Sequence, residues 1–322
     1  MKRLVIILEL ILALLTGCQA KPAPSEGLAP VTLNLTYIPN IQFAPFYVAI
    51  EKGYFADAGL SVKLNYGNEA DFLALVGSNH EQFMIASGEQ VLLGRAQGLP
   101  VVAILEWYHD YPVGVAALAT TGIQQPEDLR GKVIGIPGLY GASYIGFEAL
   151  VGEAGLTDQD YTLRSIGYTQ AEALVTKQVD AVVIYLANEP VQLAAQGYDL
   201  AVLRVEDYVP LVGNTLVTNE QTITGNPELA SSVTKAIQRA IEQVIKNPDE
   251  AFEISKKYVE NLTDADAAIQ KQVLAESIKL WLGTGNGEES QPWENMQAVL
   301  LKLGLMKQPV ELQEAYDDQF SR

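Results

Sequence analysis

The chain has 322 residues, 48% of them hydrophobic, with 39 acidic against 21 basic side chains and a formal net charge of −18. That length is more than one typical domain core holds. The acidic balance excludes nucleic acid and anionic lipid as binding partners, and self-repulsion of this size suits a monomer.

In chain order, Lys2 and Arg3 precede an apolar run from Leu4 to Leu15, interrupted by Glu9, which leads into Leu15-Thr16-Gly17-Cys18. A bilayer core of about 30 Å needs a longer run for a stable anchor, so residues 1–17 read as a cleaved export signal. The L-T-G-C ending resembles the bacterial lipobox, which implies cleavage before Cys18 and lipid attached to its sulfur and amine. The plain alternative is a buried thiol in an uncleaved helix. Cys18 is the only cysteine, so no disulfide forms within the chain. Residues 18–30, rich in Pro, Ala and Ser, read as a tether.

The body opens with a strand at Val31–Thr36, broken at Pro39, and a helix over Ala44–Phe55, where Phe46, Tyr47, Ile50 and Tyr54 recur at helical spacing. Strands are expected at Val62–Tyr66, Phe83–Ser87 and Val101–Leu105, with helices at Glu69–Leu75 and Val91–Gln97. Val113–Ala119 changes lobes. A second series follows: strands at Lys132–Ile136, Tyr161–Ile166, Asp180–Leu186 and Ala201–Val205, and helices from the Gly138–Ser143 turn to Glu153, at Thr169–Thr176 and at Glu189–Ala195. Leu211–Val217 returns to the first lobe. Helices at Pro227–Ile245, Pro248–Val259 and Asp264–Leu280 come next, and the remainder reads as helical and polar. Alternating strands and helices with short joints predict an α/β fold with largely parallel sheets covered on both faces. The stretch Leu33–Phe55 and its echo at Leu129–Tyr144 are strand, turn and helix start, so each turn lies at the carboxyl edge of a sheet, where open α/β sheets place ligands.

The run P-N-x-x-x-A-P-F-Y-V-A-x-x-K-G-Y-F-x-x-x-G-L at Pro39–Leu60 resembles substrate-binding proteins of the SsuA/THI5/NMT1 type, which serve ABC importers. D-L-R-G-K-V-I-G at Asp128–Gly135, G-x-x-G-A-S at Gly138–Ser143 and N-E-P at Asn188–Pro190 extend the likeness over nearly the whole mature chain. The resemblance implies a two-lobe, type II periplasmic-binding-protein-like fold with a hinge of crossing strands. Lobe 1 is then residues 31–115 plus 215–322, and lobe 2 residues 116–214. It implies a small heterocyclic ligand, an ABC permease transmembrane subunit as partner and attachment to the outer face of the cell membrane through Cys18. It implies no enzymatic activity, cofactor or metal.

Residues just beyond each strand are the candidates for the cleft: Asn40, Phe43, Glu89, Trp107 and Tyr108 in the first lobe, and Tyr140, Ser143, Tyr144, Tyr168, Tyr185, Asn188 and Glu189 in the second. Aromatic faces can sandwich a flat ring, while carboxylates and amides meet its N–H, amino and carbonyl groups. A sulfonate or phosphate would want a positive fork, which this set lacks. The vitamin-related branch of the family takes riboflavin or thiamine pyrimidine precursors, and the aromatic supply favours riboflavin first. On this reading Trp107→Ala or Tyr140→Ala weakens binding without changing apo melting.

Each candidate also has a plainer role. Trp107, Tyr108 and Tyr185 could be core, as Phe46, Tyr47, Tyr54 and Phe55 are expected to be, and Glu89 and Glu189 could serve helix starts. The sulfonate binders and the pyrimidine-synthesising enzymes of the same fold are the alternatives, with a sensor or chaperone-like lipoprotein a third. The synthases carry a cysteine-rich iron-site motif that a chain with Cys18 alone lacks. His80 reads as solvated in a polar loop. His109 beside Asp110 near the cleft is the one conceivable base, too little for triad or metal chemistry.

Overall fold

Strands buried along most of their length stand in the interior of each sheet, because helices cover both faces there. In a computed structural model of the chain, the described residues are 27–260, 262, 266–283 and 290–321. The expected export signal, Cys18 and most of the expected tether lie outside them.

The first sheet contains β1 (Ala29–Thr36), β2 (Leu60–Gly67), β3 (Phe83–Ser87), β4 (Val101–Glu106) and β10 (Asn214–Asn219), in the order β2-β1-β3-β10-β4. The second contains β5 (Val113–Leu118), β6 (Val133–Ile136), β7 (Thr162–Ser165), β8 (Ala181–Tyr185) and β9 (Leu200–Arg204), in the order β7-β6-β8-β5-β9. β1 runs parallel to β2 and β3, and β6 parallel to β7 and β8. β10 runs antiparallel to β3 and β4, and β5 antiparallel to β8 and β9. Each sheet is therefore mixed, with one antiparallel strand in the same place. That strand is the one that has just crossed from the other lobe, so the two halves share one topology. Every residue of β3 and of β10 is buried, whereas the edge strands β2 and β7 are partly open.

β5 pairs only within the second sheet, so the expected division at 115/116 falls inside a strand. The chain passes between the sheets through residues 107–112 and 205–213. Leu211–Gly213, the start of the expected return to the first lobe, belong to this second crossing, and the strand begins at Asn214. The two crossings are tied together. The amides of Trp107 and Tyr108 both donate to Asn214 O, at 2.7 and 3.0 Å, and Gly88 N donates to Gly213 O at 2.9 Å. Arg204 Nη2 donates to Asp110 Oδ2 at 2.8 Å, and Tyr111 N to Glu206 Oε2 at 3.2 Å.

Phe46, Tyr47, Tyr54 and Phe55 are buried under the helices of the first lobe, as their spacing predicts. The segment beyond Leu282 departs from its expected polar character. Its helix Gln291–Lys302 buries Trp293, Met296 and Leu300, and these join the core that runs from the first lobe into the second. Asn295 Nδ2 donates to Pro210 O at 2.8 Å, so this helix also braces a crossing segment.

Candidate functional site

The joints at the carboxyl ends of β1, β2, β3 and β8 meet between the lobes. After β1, Asn40 stands before the short Ile41–Phe43 turn and caps it, its Oδ1 accepting from Gln42 N at 3.0 Å. That cap presents Gln42 across the gap. Gln42 Nε2 donates to Asn188 Oδ1 at 2.6 Å, and Gln42 Oε1 accepts from Tyr108 Oη at 3.2 Å. One amide thereby links the first lobe, the crossing segment and the start of the Glu189–Ala195 helix in the second lobe.

Below this link lies a group of carboxyls and phenols. Glu69 begins the Glu69–Gly77 helix after β2, and its Oε1 accepts from Ser87 N at 2.7 Å and Ser87 Oγ at 2.8 Å. Glu89 lies in the first turn of the Gly88–Ala96 helix after β3 and is 0% exposed. Ser87 and Gln90 sit near enough to favour its charged form slightly, yet neither carboxyl oxygen has a hydrogen-bond partner. Burial, and then the charge of Glu69, push the Glu89 carboxyl up to about 8. Desolvation raises Glu69 as well, against the two hydrogen bonds from Ser87. From the second lobe, Tyr185 at the end of β8 comes within electrostatic reach of Glu69, Glu89, Tyr108 and Glu189. Burial holds its phenol well above the ordinary value, with Glu69 and Glu89 adding to the shift. Tyr111, 0% exposed, feels the same two carboxyls and donates from Oη to Ala142 O at 2.7 Å. Glu189 is raised by burial and accepts from Tyr185 N at 2.9 Å.

At the mouth, Tyr37 and Tyr168 face one another from the two lobes, ring centroids 5.8 Å apart. Tyr37 adopts φ = 80°, a left-handed conformation that costs a side-chain-bearing residue about 1–3 kcal/mol and concentrates at functional sites. Tyr140 acts on Tyr168 through its hydroxyl, and both rings are 71% exposed. Tyr140 precedes the Gly141–Glu153 helix, where Gly141 takes φ = 66°, a turn that a glycine makes freely.

Of the twelve expected residues, Glu89, Tyr108, Tyr185, Asn188 and Glu189 come together at this cleft, Asn40 supports it through Gln42, and Tyr140 and Tyr168 stand at its mouth. The others lie elsewhere. Trp107 is 1% exposed, stacked on Phe46 at 4.3 Å and met edge-on by Trp281 at 5.5 Å, so its ring serves the core of the first lobe. Phe43 packs against Phe46 and Tyr66 in that core. Tyr144 and Glu148 line a cavity of about 510 Å³ between their own helix and Gln291–Lys302. Ser143 is half-buried in the first turn of the Gly141–Glu153 helix. His80 makes its contact with Ser78, 2.8 Å away on an exposed loop. His109 pairs with Glu106 at 2.9 Å, beside a second cavity of about 330 Å³ behind the first sheet.

A family model described as NMT1/THI5 like matches residues 40–251. The chain belongs to the NMT1/THI5-like family. It is 36% identical to the riboflavin-binding protein RibY of Chloroflexus aurantiacus, over 97% of this chain and 95% of that one. It is 29% identical to the formylaminopyrimidine-binding protein of Halalkalibacterium halodurans, over 96% and 97%. A 4-amino-5-hydroxymethyl-2-methylpyrimidine phosphate synthase of Saccharomyces cerevisiae, THI11, is 28% identical over 71% of this chain and 70% of its own. Among solved structures, the alkanesulfonate-binding protein SsuA of Xanthomonas axonopodis bound to MOPS shares the fold, with a TM-score of 0.67 at 15% identity, covering 93% of this chain and 99% of that one.

In this NMT1/THI5-like chain, reading strand ends finds part of the cleft and misses Tyr37, Gln42, Glu69, Ser87 and Tyr111. Glu69 had a usable signal, since it follows β2 as Glu89 follows β3. Gln42 and Tyr37 follow β1 in the same way. Tyr111 had none, because only the crossing of the chain brings it beneath the cleft.

Proposed function

We propose that the chain is the extracytoplasmic solute-binding subunit of an ABC importer, closing on a planar heterocyclic vitamin or precursor, riboflavin first and a thiamine-related aminopyrimidine second. The observation that carries this is the make-up of the cleft. Phenols, carboxyls and amides from both lobes converge there, and none of the residues so placed is lysine or arginine. Such a set matches the N–H and carbonyl edge of a neutral ring and opposes a sulfonate. The family relatives with the longest shared spans support binding over turnover. No described helix is long and apolar enough to cross a membrane, and the lipobox at Cys18 supplies the anchor in this reading.

Ligand contacts from both lobes favour the closed form, and that difference is what a permease senses. The lobes hinge at residues 107–112 and 205–213. Riboflavin at a hundredfold excess over its Kd is expected to stabilise the protein by about 2.7 kcal/mol, read as a rise in Tm. A shift with alkanesulfonates, and none with flavins or aminopyrimidines, would overturn the assignment. Gln42→Ala removes the bond that spans the gap, worth about 0.5–1.5 kcal/mol. The expected result is a few-fold weaker affinity with little change in unfolding of the apo protein; an unchanged Kd would show that the bond does not contribute to closure.

A further inference from the structure

We propose that Glu89 grips the ligand as a neutral carboxyl group, and so selects a ring edge on which an N–H donor and an acceptor lie side by side. This rests on the cleft being the ligand site. Glu89 is fully buried, its two oxygens have no hydrogen-bond partner, and it lies within electrostatic reach of Tyr185 from the other lobe. A buried polar group without a partner is destabilising, so the site is incomplete until something pairs with it. The groups facing it are Glu69 from the helix after β2, Ser87 from β3, Tyr111 from the crossing segment and Tyr185 from β8. Glu69 adds like charge, and the phenols add none. Such surroundings keep the proton on Glu89 near neutral pH.

A neutral carboxyl has one acceptor oxygen and one donor O–H on a single edge. It pairs with a ring N–H beside a carbonyl, as in the imide edge of a flavin, or with an amino group beside a ring nitrogen. A carboxylate would prefer a cation or two donors. The distinction can be tested because a glutamine side chain presents one acceptor and one donor in nearly the same places, whereas leucine presents neither.

The experiment is a titration of riboflavin, by quenching of its fluorescence, with the wild type, Glu89→Gln and Glu89→Leu. At pH 6.5, Glu89→Gln is expected to bind within about threefold of wild type and Glu89→Leu to bind at least tenfold more weakly. Between pH 7 and 9 the wild type should weaken by about tenfold while Glu89→Gln stays level. Apo melting supplies a readout that needs no ligand. The folded chain keeps the proton to about pH 8 and the unfolded chain loses it near 4.5, so folded protein binds more protons between them. Stability therefore falls as pH rises through that window. Glu89→Gln should make this fall shallower, leaving the share of the other raised carboxyls, Glu69, Glu189 and Glu206.

Glu89→Gln binding as weakly as Glu89→Leu, or wild-type affinity that rises with pH, overturns the proposal while leaving the binding function intact. If riboflavin fails to bind the wild type, the ligand assignment fails instead. The same three proteins are then titrated with 4-amino-5-hydroxymethyl-2-methylpyrimidine by calorimetry, under the same two criteria. No binding of either ring, or apo melting whose pH dependence is the same in wild type and Glu89→Gln, also overturns it.

Discussion

Trp107→Ala is expected to lower the free energy of unfolding by about 3–5 kcal/mol, the range for truncating a large buried ring. The ring is stacked on Phe46, meets Trp281 edge-on and contacts Tyr108, with 1% of its surface exposed. Its removal leaves a hole where the first crossing segment leaves β4, and the large rings packed around it in the first lobe cannot collapse fully into it. Urea unfolding monitored by circular dichroism measures the loss. Tyr140→Ala is the control, because that ring is 71% exposed and surface changes alter stability by only about 0.5 kcal/mol. Equal, small losses in both variants would place Trp107 back among residues free to meet a ligand.

Gly213→Ala should be nearly as damaging, about 3 kcal/mol, the upper part of the usual range for forcing a methyl into a packed interior. A Cβ at this position would lie 2.5 Å from Tyr108 O and 3.2 Å from Tyr108 Cβ. Backbone oxygen cannot rotate aside as a side chain can, so one crossing segment must move off the other. Because Tyr108 donates to Gln42, the displacement should also weaken riboflavin affinity. Urea unfolding and a fluorescence titration on the same variant check both parts. Unchanged stability would mean that the crossing segments are less tightly packed than their contacts indicate.

Much of the architecture was legible along the chain because its causes are local. The runs FMIAS and DAVVIYL are apolar over lengths that suit strands, and they are buried strands. Phe46 and Tyr47 lie in the core from the Ala44–Glu51 helix as expected, whereas Tyr54 reaches it from a separate short helix, Tyr54–Asp57, because Gly53 at φ = 74° ends the first. The rule of looking just past each strand reached Glu89, Tyr185, Asn188 and Glu189. It could not separate Trp107 from Tyr108, adjacent in sequence, because one ring turns under the Ala44–Glu51 helix and the other toward Gln42. It could not separate Tyr140 from Tyr144 either, since one turn of helix carries Tyr144 round to the C-terminal helix.

The order of strands and helices, the apolar interiors and the polar, cation-poor character of the strand ends follow from the chain read locally, since they depend on residues close together in it. The tertiary structure alone decided that β5 and β10 run antiparallel in their sheets. It also decided that Gln42 meets Asn188, and that Glu89 is left without a partner beside Glu69 and Tyr185. Those outcomes depend on how far burial and Coulomb forces act through space between segments tens to more than a hundred residues apart, and no local pattern records that distance.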